Sequence, residues 1–245
     1  MSLDETALRS YLGKLSNADE PENIWSAVFE FLHVMKFEKI SYHVIPTFTT
    51  GEQMDMTVAT DGFSDEWLCH YIEDQLHLVD PIPAFALQST KPFLWSEIES
   101  LTELTKPEKS YIEEMMDFEA CNGLAVQVFG PSGLNGYFGL AFTEKARVID
   151  PLDLHEIQWV CQLAHHRYCE FVRATSADVT LSAREREVLE WVAKGKSNSA
   201  IAKIIGVSIH SVDAYMRRIY AKLGVNERVT AAIRGLGSGL IHGSS

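Results

Sequence analysis

Apolar residues recur at helical spacing over Thr6 to Leu15 and again over Pro21 to Met35, which predicts two amphipathic helices. The period then changes to two. ISYHVI (Ile40 to Ile45) alternates apolar and polar residues and reads as a half-buried strand, with Met54 to Ala59 as its hairpin partner. Trp67 to Leu76 returns to helical spacing, and Pro81 and Pro83 break the chain. A helix around Glu108 to Phe118 precedes a strand at Leu124 to Phe129. The turn Gly130-Pro-Ser-Gly133 then leads into a returning strand at Tyr137 to Phe142. Asp153 to Phe171 is a long amphipathic helix. Strands flanked by helices in this order predict an α+β domain, an α-β-α sandwich around an antiparallel sheet.

The last third of the chain is purely helical. Ser182 with Glu185 three residues on forms a capping signal. The run AREREVLEWVAKG then puts Val188, Leu189, Val192 and Ala193 on one face and stops at Gly195. A second helix starts at Ser197-Asn198, with Ile201, Ala202 and Ile205 inward, and closes at Gly206. Ser208 caps a third, whose apolar positions are Val212, Met216, Ile219, Tyr220 and Leu223, ahead of Gly224. A fourth runs from about Glu227 through Ile233 to Gly235. Helix, tight turn at Gly206-Val207 and helix is the helix-turn-helix pattern, whose second helix enters the major groove. Its outward positions are Ile209, His210, Ser211, Asp213, Ala214, Arg217 and Arg218. The paired arginines suit phosphate, and His210, Ser211 and Asp213 suit base edges.

Charge separates these two regions. The 245-residue chain carries a net −13, made of −18 over residues 1–179 and +5 over residues 180–245. The basic module suits a polyanion that the acidic body would repel. The segment Ala174 to Val179 is short, small and polar. The expected domains are therefore 1–173, a linker at 174–179, and a DNA-binding module at 180–245. With 46% apolar and 22% charged residues, bulk disorder is not expected. No apolar run approaches the ~18 residues of a membrane span, and the opening MSLDETALRSYLGKL has no secretory pattern. Cys69, Cys121, Cys161 and Cys169 form no CxxC pair, so reduced thiols in a cytoplasmic protein are expected.

Catalytic constellations are absent: no nucleophile elbow, Walker loop or dinucleotide fingerprint occurs, so neither an enzyme nor a cofactor is expected. His165 and His166 are adjacent on a helix and point apart, which argues against a metal pair. Glu113, Glu114 and Asp117 read as a solvated acidic face. The conspicuous feature is aromatic: Phe63, Trp67, Tyr71, Phe85, Phe93 and Trp95 surround Asp80 in the sequence. A carboxylate among apolar residues must be exposed, paired or used on a ligand. An apolar pocket with a few fixed polar groups and an aromatic core with a turn aspartate both fit.

These motifs resemble those of LuxR-type quorum-sensing transcriptional regulators, over nearly the whole chain. The family's Glu, Leu and Gly of the helix-turn-helix module fall on Glu185, Leu189 and Gly195. Its signal-binding domain carries a Trp, an Asp-Pro thirteen residues later, a Trp fifteen residues beyond that Asp, and then a Gly, here Trp67, Asp80-Pro81, Trp95 and Gly123. The resemblance implies an N-acyl-homoserine lactone ligand. Trp67 would donate to its lactone carbonyl, Asp80 would accept its amide N–H, Tyr71 would line the acyl pocket and Trp95 would pack beside the ring. It also implies a homodimer on a palindromic operator. The helix of Trp159, Leu163 and Phe171 and the last helix, with Val229, Ala232 and Ile233, are candidate dimer surfaces.

Two departures qualify this. Where lactone receptors usually place a tyrosine that bonds the acyl carbonyl stands Phe63, and where several place a serine or threonine stands Ala141, with Gly139 two earlier. A buried carbonyl without its donor costs about 1–3 kcal/mol, so the pocket is expected to be less polar than a standard lactone site. A member of the family that acts without ligand, or on a non-lactone molecule, is the alternative. In the recognition helix, Asp213 and Tyr215 replace the family's usual Lys or Asn and His, which predicts an altered operator. Ser208, Arg217, Arg218 and Lys222 are expected to complete the DNA contacts.

Overall fold

A computed structural model describes residues 5–46, 57–118, 122–142, 149–175 and 179–242. The chain divides into two compact units that meet in sequence at Ala174 and Thr175.

The first unit opens with α1 (Glu5–Ser16) and α2 (Pro21–Val34), followed by β1 (Lys39–Pro46) and β2 (Thr57–Asp61). β2 pairs antiparallel with β1, Ile40 opposite Asp61, so the expected hairpin partner is displaced toward Asp61. Met54 to Met56 lie outside the described residues. Next come α3 (Asp65–Glu73), α4 (Pro81–Ala86), the two-residue β3 (Phe93–Leu94), α5 (Ile98–Leu101) and α6 (Lys106–Phe118). β4 (Asn122–Val128), β5 (Leu134–Phe142) and α7 (Pro151–Thr175) complete the unit. The sheet order is β2-β1-β5-β4-β3.

Pro81 does not break the chain but starts a helix. Proline is favoured in the first turn, where its missing N–H needs no partner, and Asp80 caps α4 by accepting from Ile82 N at 2.9 Å. β3 escapes the sequence pattern because two residues have no period. α7 continues through Ala174 and Thr175, two residues into the segment expected to be linker.

The sheet is covered on both sides, so its strands read as nearly continuous apolar runs. Ile40, Tyr42, Val44, Leu124, Val126, Phe138 and Leu140 are all buried, and by the pleat they share one face. Against Tyr42 lie Trp25 of α2 (ring centroids 4.2 Å apart) and His165 of α7. The opposite face belongs to the second core, with α3, α4 and α6.

The second unit contains α8 (Ala183–Ala193), α9 (Asn198–Ile205), α10 (Ile209–Leu223) and α11 (Arg228–Gly237) around a core of Val188, Leu189, Ile201, Val212, Ile219 and Ala231. Gly206 sits at φ +71° and Gly224 at φ +62°, left-handed positions that end α9 and α10. Ser197 and Ser208 cap α9 and α10 through Ala200 N and Ser211 N. No helix among the described residues is long and apolar enough to cross a membrane.

Candidate ligand site and nucleic-acid interface

β4 and β5 pair Gly123 with Ala141, Ala125 with Gly139, and Gln127 with Tyr137, and the pleat turns all six toward the second core. From β1, Ser41 and His43 face the same way. Ser41 Oγ lies 2.6 Å from where a Cβ of residue 139 would stand, and the His43 ring stacks on Tyr137 with centroids 4.7 Å apart. Trp95, buried at 4% exposure, lies across Gly123: a Cβ there would come within 2.5 Å of three atoms of the indole. That contact explains why a glycine stands at this position in the sequence pattern.

Helices supply the rest. Trp67 is buried in the first turn of α3, where Ser64 Oγ accepts from its backbone N–H. Its ring lies 6.4 Å from that of Tyr71. Asp80 is the hub. Its Oδ2 accepts from Tyr71 of α3 and Tyr111 of α6, both at 3.1 Å, while Oδ1 holds the start of α4. Burial pushes its carboxyl up to about 6, against the opposing pull of these three donors. A carboxylate offers roughly four acceptor positions, so the three bonds leave room for one further N–H donor. Phe85 packs edge-to-face on Phe93 at 5.0 Å, and Phe63 is half-buried on the same cluster. Ala141 is fully buried there. All the expected ligand-site residues thus belong to one cluster or, for Asp80, are tied into it.

Trp95 Nε1 is buried with no hydrogen-bond partner. Phe63 does lack a hydroxyl, but Tyr111, Tyr137, Ser41, His43 and Gln127 bring polar groups to the same face from distant positions. None carried a sequence signal. Gln127 and His43 simply alternate within strands, and Tyr111 shares a helical face with Met115. Glu113, Glu114 and Asp117 are exposed, as a solvated acidic face requires, and Glu114 pairs with His70 of α3 at 2.7 Å, tying α6 to α3.

His165 is a core histidine. It is fully buried, with Nδ1 2.8 Å from Tyr42 Oη and Nε2 3.4 Å from Cys169 Sγ. No group of three metal-ligating side chains occurs among the described residues. Cys69, Cys161 and Cys169 are not in disulfides, and Cys121 lies outside the described residues.

In the second unit, His210, Asp213, Arg217 and Arg218 are exposed on α10, whereas Ser211 and Ala214 are half-buried. Arg218 lies over the Tyr215 ring at 5.5 Å. Ser208 is occupied as the cap of α10. Lys222 is not a free cation: its Nζ donates to Glu185 Oε2 at 2.7 Å and to the Thr180 carbonyl at 2.9 Å. Glu185 is 2% exposed and closes the capping box with Ser182. Burial would raise its carboxyl, but Lys222 and Ser182 hold it below the usual range. Asp213 is also engaged. Its Oδ1 accepts from Asn198 at 2.6 Å, and Asn198 in turn accepts from Arg228 at 2.8 Å, linking α10, α9 and α11.

An aromatic-walled site built on a sheet face in one unit and a helix-turn-helix in the other define a ligand-responsive DNA-binding regulator. The family model for the autoinducer binding domain matches residues 20–168, and that for bacterial regulatory proteins of the luxR family matches residues 179–234. The chain is 29% identical to the transcriptional activator protein AnoR of Acinetobacter nosocomialis, over 76% of this chain and 79% of that one. It is 30% identical to the transcriptional activator protein PhzR of Pseudomonas fluorescens, over 86% and 85%. The crystal structure of Escherichia coli SdiA superimposes with a TM-score of 0.76 over 97% of this chain and 99% of that one at 17% identity, a likeness of fold. The chain belongs to the LuxR family of quorum-sensing transcriptional regulators, with an autoinducer-binding domain followed by the family's helix-turn-helix domain.

Proposed function

We propose that this regulator senses an N-acyl-homoserine lactone. The carrying observation is the buried, unpartnered Trp95 Nε1 in the cluster that also holds Trp67 and Asp80. An indole N–H buried without an acceptor is a costly arrangement that a ligand carbonyl relieves. In this reading the Asp80 carboxylate accepts the ligand amide N–H, Trp67 and Trp95 enclose the lactone ring, and Tyr71, Phe63, Phe85 and Ala141 line the chain. The ligand completes the core and stabilises the folded unit by mass action. Two copies then present two α10 helices to a palindromic operator. On α11, Val229, Ile233 and Leu236 expose apolar side chains at helical spacing, and on α7 Trp159 is 46% exposed; both suit a dimer contact. His210, Ser211 and Asp213 face base edges, with Ser208 and Ala214 beside them and Arg217 and Arg218 on phosphate.

A second reading, a non-lactone acyl ligand or function without ligand, is favoured by Phe63, which cannot donate to an acyl carbonyl. A solved structure of SdiA, similar in fold, is of its complex with octanoyl-rac-glycerol. Native mass spectrometry of protein expressed with a panel of acyl-homoserine lactones separates the two. A retained lactone mass is expected. A dimer that binds DNA with no lactone retained would overturn the lactone reading.

A further inference from the structure

The site face carries a second polar feature that the headgroup contacts leave unused. One row across β4, β5 and β1 consists of Gln127, Tyr137 and His43. Gln127 lies opposite Tyr137 in register, and the His43 ring stacks on Tyr137 within 12° of parallel. Gln127 is 0% exposed and His43 6%. Neither Gln127 Oε1 nor Gln127 Nε2 has a hydrogen-bond partner, and neither does His43 Nδ1. Buried polar atoms are satisfied in the great majority of folded proteins, so three orphans in one row call for a missing partner. The row is continuous with the ligand cluster, because Tyr137 packs in it beside Trp67, Trp95 and Tyr111. It stands four residues along β4 from the glycine beneath Trp95, about 13 Å at strand rise.

The partner's chemistry follows from the orphan atoms. Gln127 offers an acceptor oxygen and a nitrogen with two N–H donors. Burial pulls His43 down to about 4, so its ring is neutral near pH 7 and can also accept or donate. A hydroxyl can bond one face of the Gln127 amide and His43 Nδ1 together, giving one hydrogen bond and taking another, whereas a methylene can bond neither.

We propose that Gln127 and His43 form a distal anchor for a hydroxyl on the ligand's acyl chain, so that the signal is a chain-hydroxylated acyl compound rather than a plain one. The inference rests on the assignment of Trp67, Asp80 and Trp95 to the headgroup end.

The test uses the full chain and two ligand pairs. N-Octanoyl-homoserine lactone is compared with a series hydroxylated at successive chain carbons, and octanoylglycerol with the same series. Binding is read by titration and by thermal shift. One member of each hydroxylated series should bind about tenfold more tightly than its plain parent, the worth of one hydrogen bond to a buried group. Gln127→Leu should abolish that preference, favour the plain chain and raise the melting temperature without ligand, because it removes two orphan atoms. His43→Phe should weaken the preference in the same direction. Plain and hydroxylated lactones binding equally, with the ratio unchanged in Gln127→Leu, would overturn the anchor and leave the lactone assignment standing. Hydroxylated glycerides binding while every lactone fails would overturn the lactone and leave the anchor. A failure of all the probes would overturn both.

Discussion

Gly123→Ala tests the packing on which the ligand site is built. Carbon atoms in van der Waals contact sit about 3.5–4.0 Å apart. A methyl at residue 123 would lie 2.5 Å from Cδ2, Cε3 and Cζ3 of Trp95, so the indole must retreat by about 1 Å or more. It has little room, being 4% exposed, with Cζ2 already close over Gly139. Overpacking of this kind costs about 1–3 kcal/mol. For a domain of this size that lowers the melting temperature by about 2–4 °C for each kcal/mol. Two glycines calibrate the scale. At Gly139 a Cβ meets Ser41 Oγ at 2.6 Å, a rotatable hydroxyl, so Gly139→Ala should cost less. At Gly13, inside α1, nothing lies within 4 Å, so Gly13→Ala should stabilise by about 0.5–1 kcal/mol. Thermal unfolding of the three variants without ligand, followed by near-ultraviolet circular dichroism, gives the order directly. A Gly123→Ala protein that melts with the wild type would refute the reasoning, because the tryptophan would then have space that the geometry denies it.

Further expectations concern charge and hydrogen bonding. Asp80 titrates near 6 in the folded protein against 3.8 ordinarily, so its contribution is fully present below the ordinary value and lost as the pH rises through about 6. The stability of wild type relative to Asp80→Asn should therefore fall by about 3 kcal/mol between about pH 4 and pH 7, and parallel denaturation curves would contradict this. Phe63→Tyr restores a hydroxyl on the site's rim and should tighten lactone binding about tenfold in a titration; no change would separate residue 63 from the acyl carbonyl. Lys222→Met strips the charge partner from the buried Glu185 and should destabilise the DNA-binding unit by about 1–3 kcal/mol near pH 7. That difference should shrink as the pH falls below the carboxylate range, where Glu185 takes up a proton. Arg217→Ala should weaken operator and random duplex alike and reduce the slope of log affinity against log salt by about one, whereas Asp213→Ala should change base preference. Equal losses on every sequence from Asp213→Ala would remove that residue from readout, leaving it as the Asn198 partner seen in the structure.

The sequence alone carried the helical third almost completely. Its elements are short, local and marked by caps and glycines, and helix boundaries depend on residues within one turn of each other. Trp67, Asp80 and Trp95 are legible as a spaced set only through the resemblance to the family's pattern. What it could not convey was the company they keep. Proline at residue 81 reads as a break because nothing in the sequence marks Asp80 as the helix cap that precedes it. Lys222 reads from the sequence as one more cation of the DNA-binding module, because its partner Glu185 lies on another helix. The polar row of His43, Tyr137 and Gln127 comes from three strands, and only sheet register brings its members to one face. Side-chain identity and helical period are properties of neighbouring residues, whereas burial and hydrogen-bond satisfaction depend on which distant strands pair. Only tertiary structure could therefore decide how polar this site is.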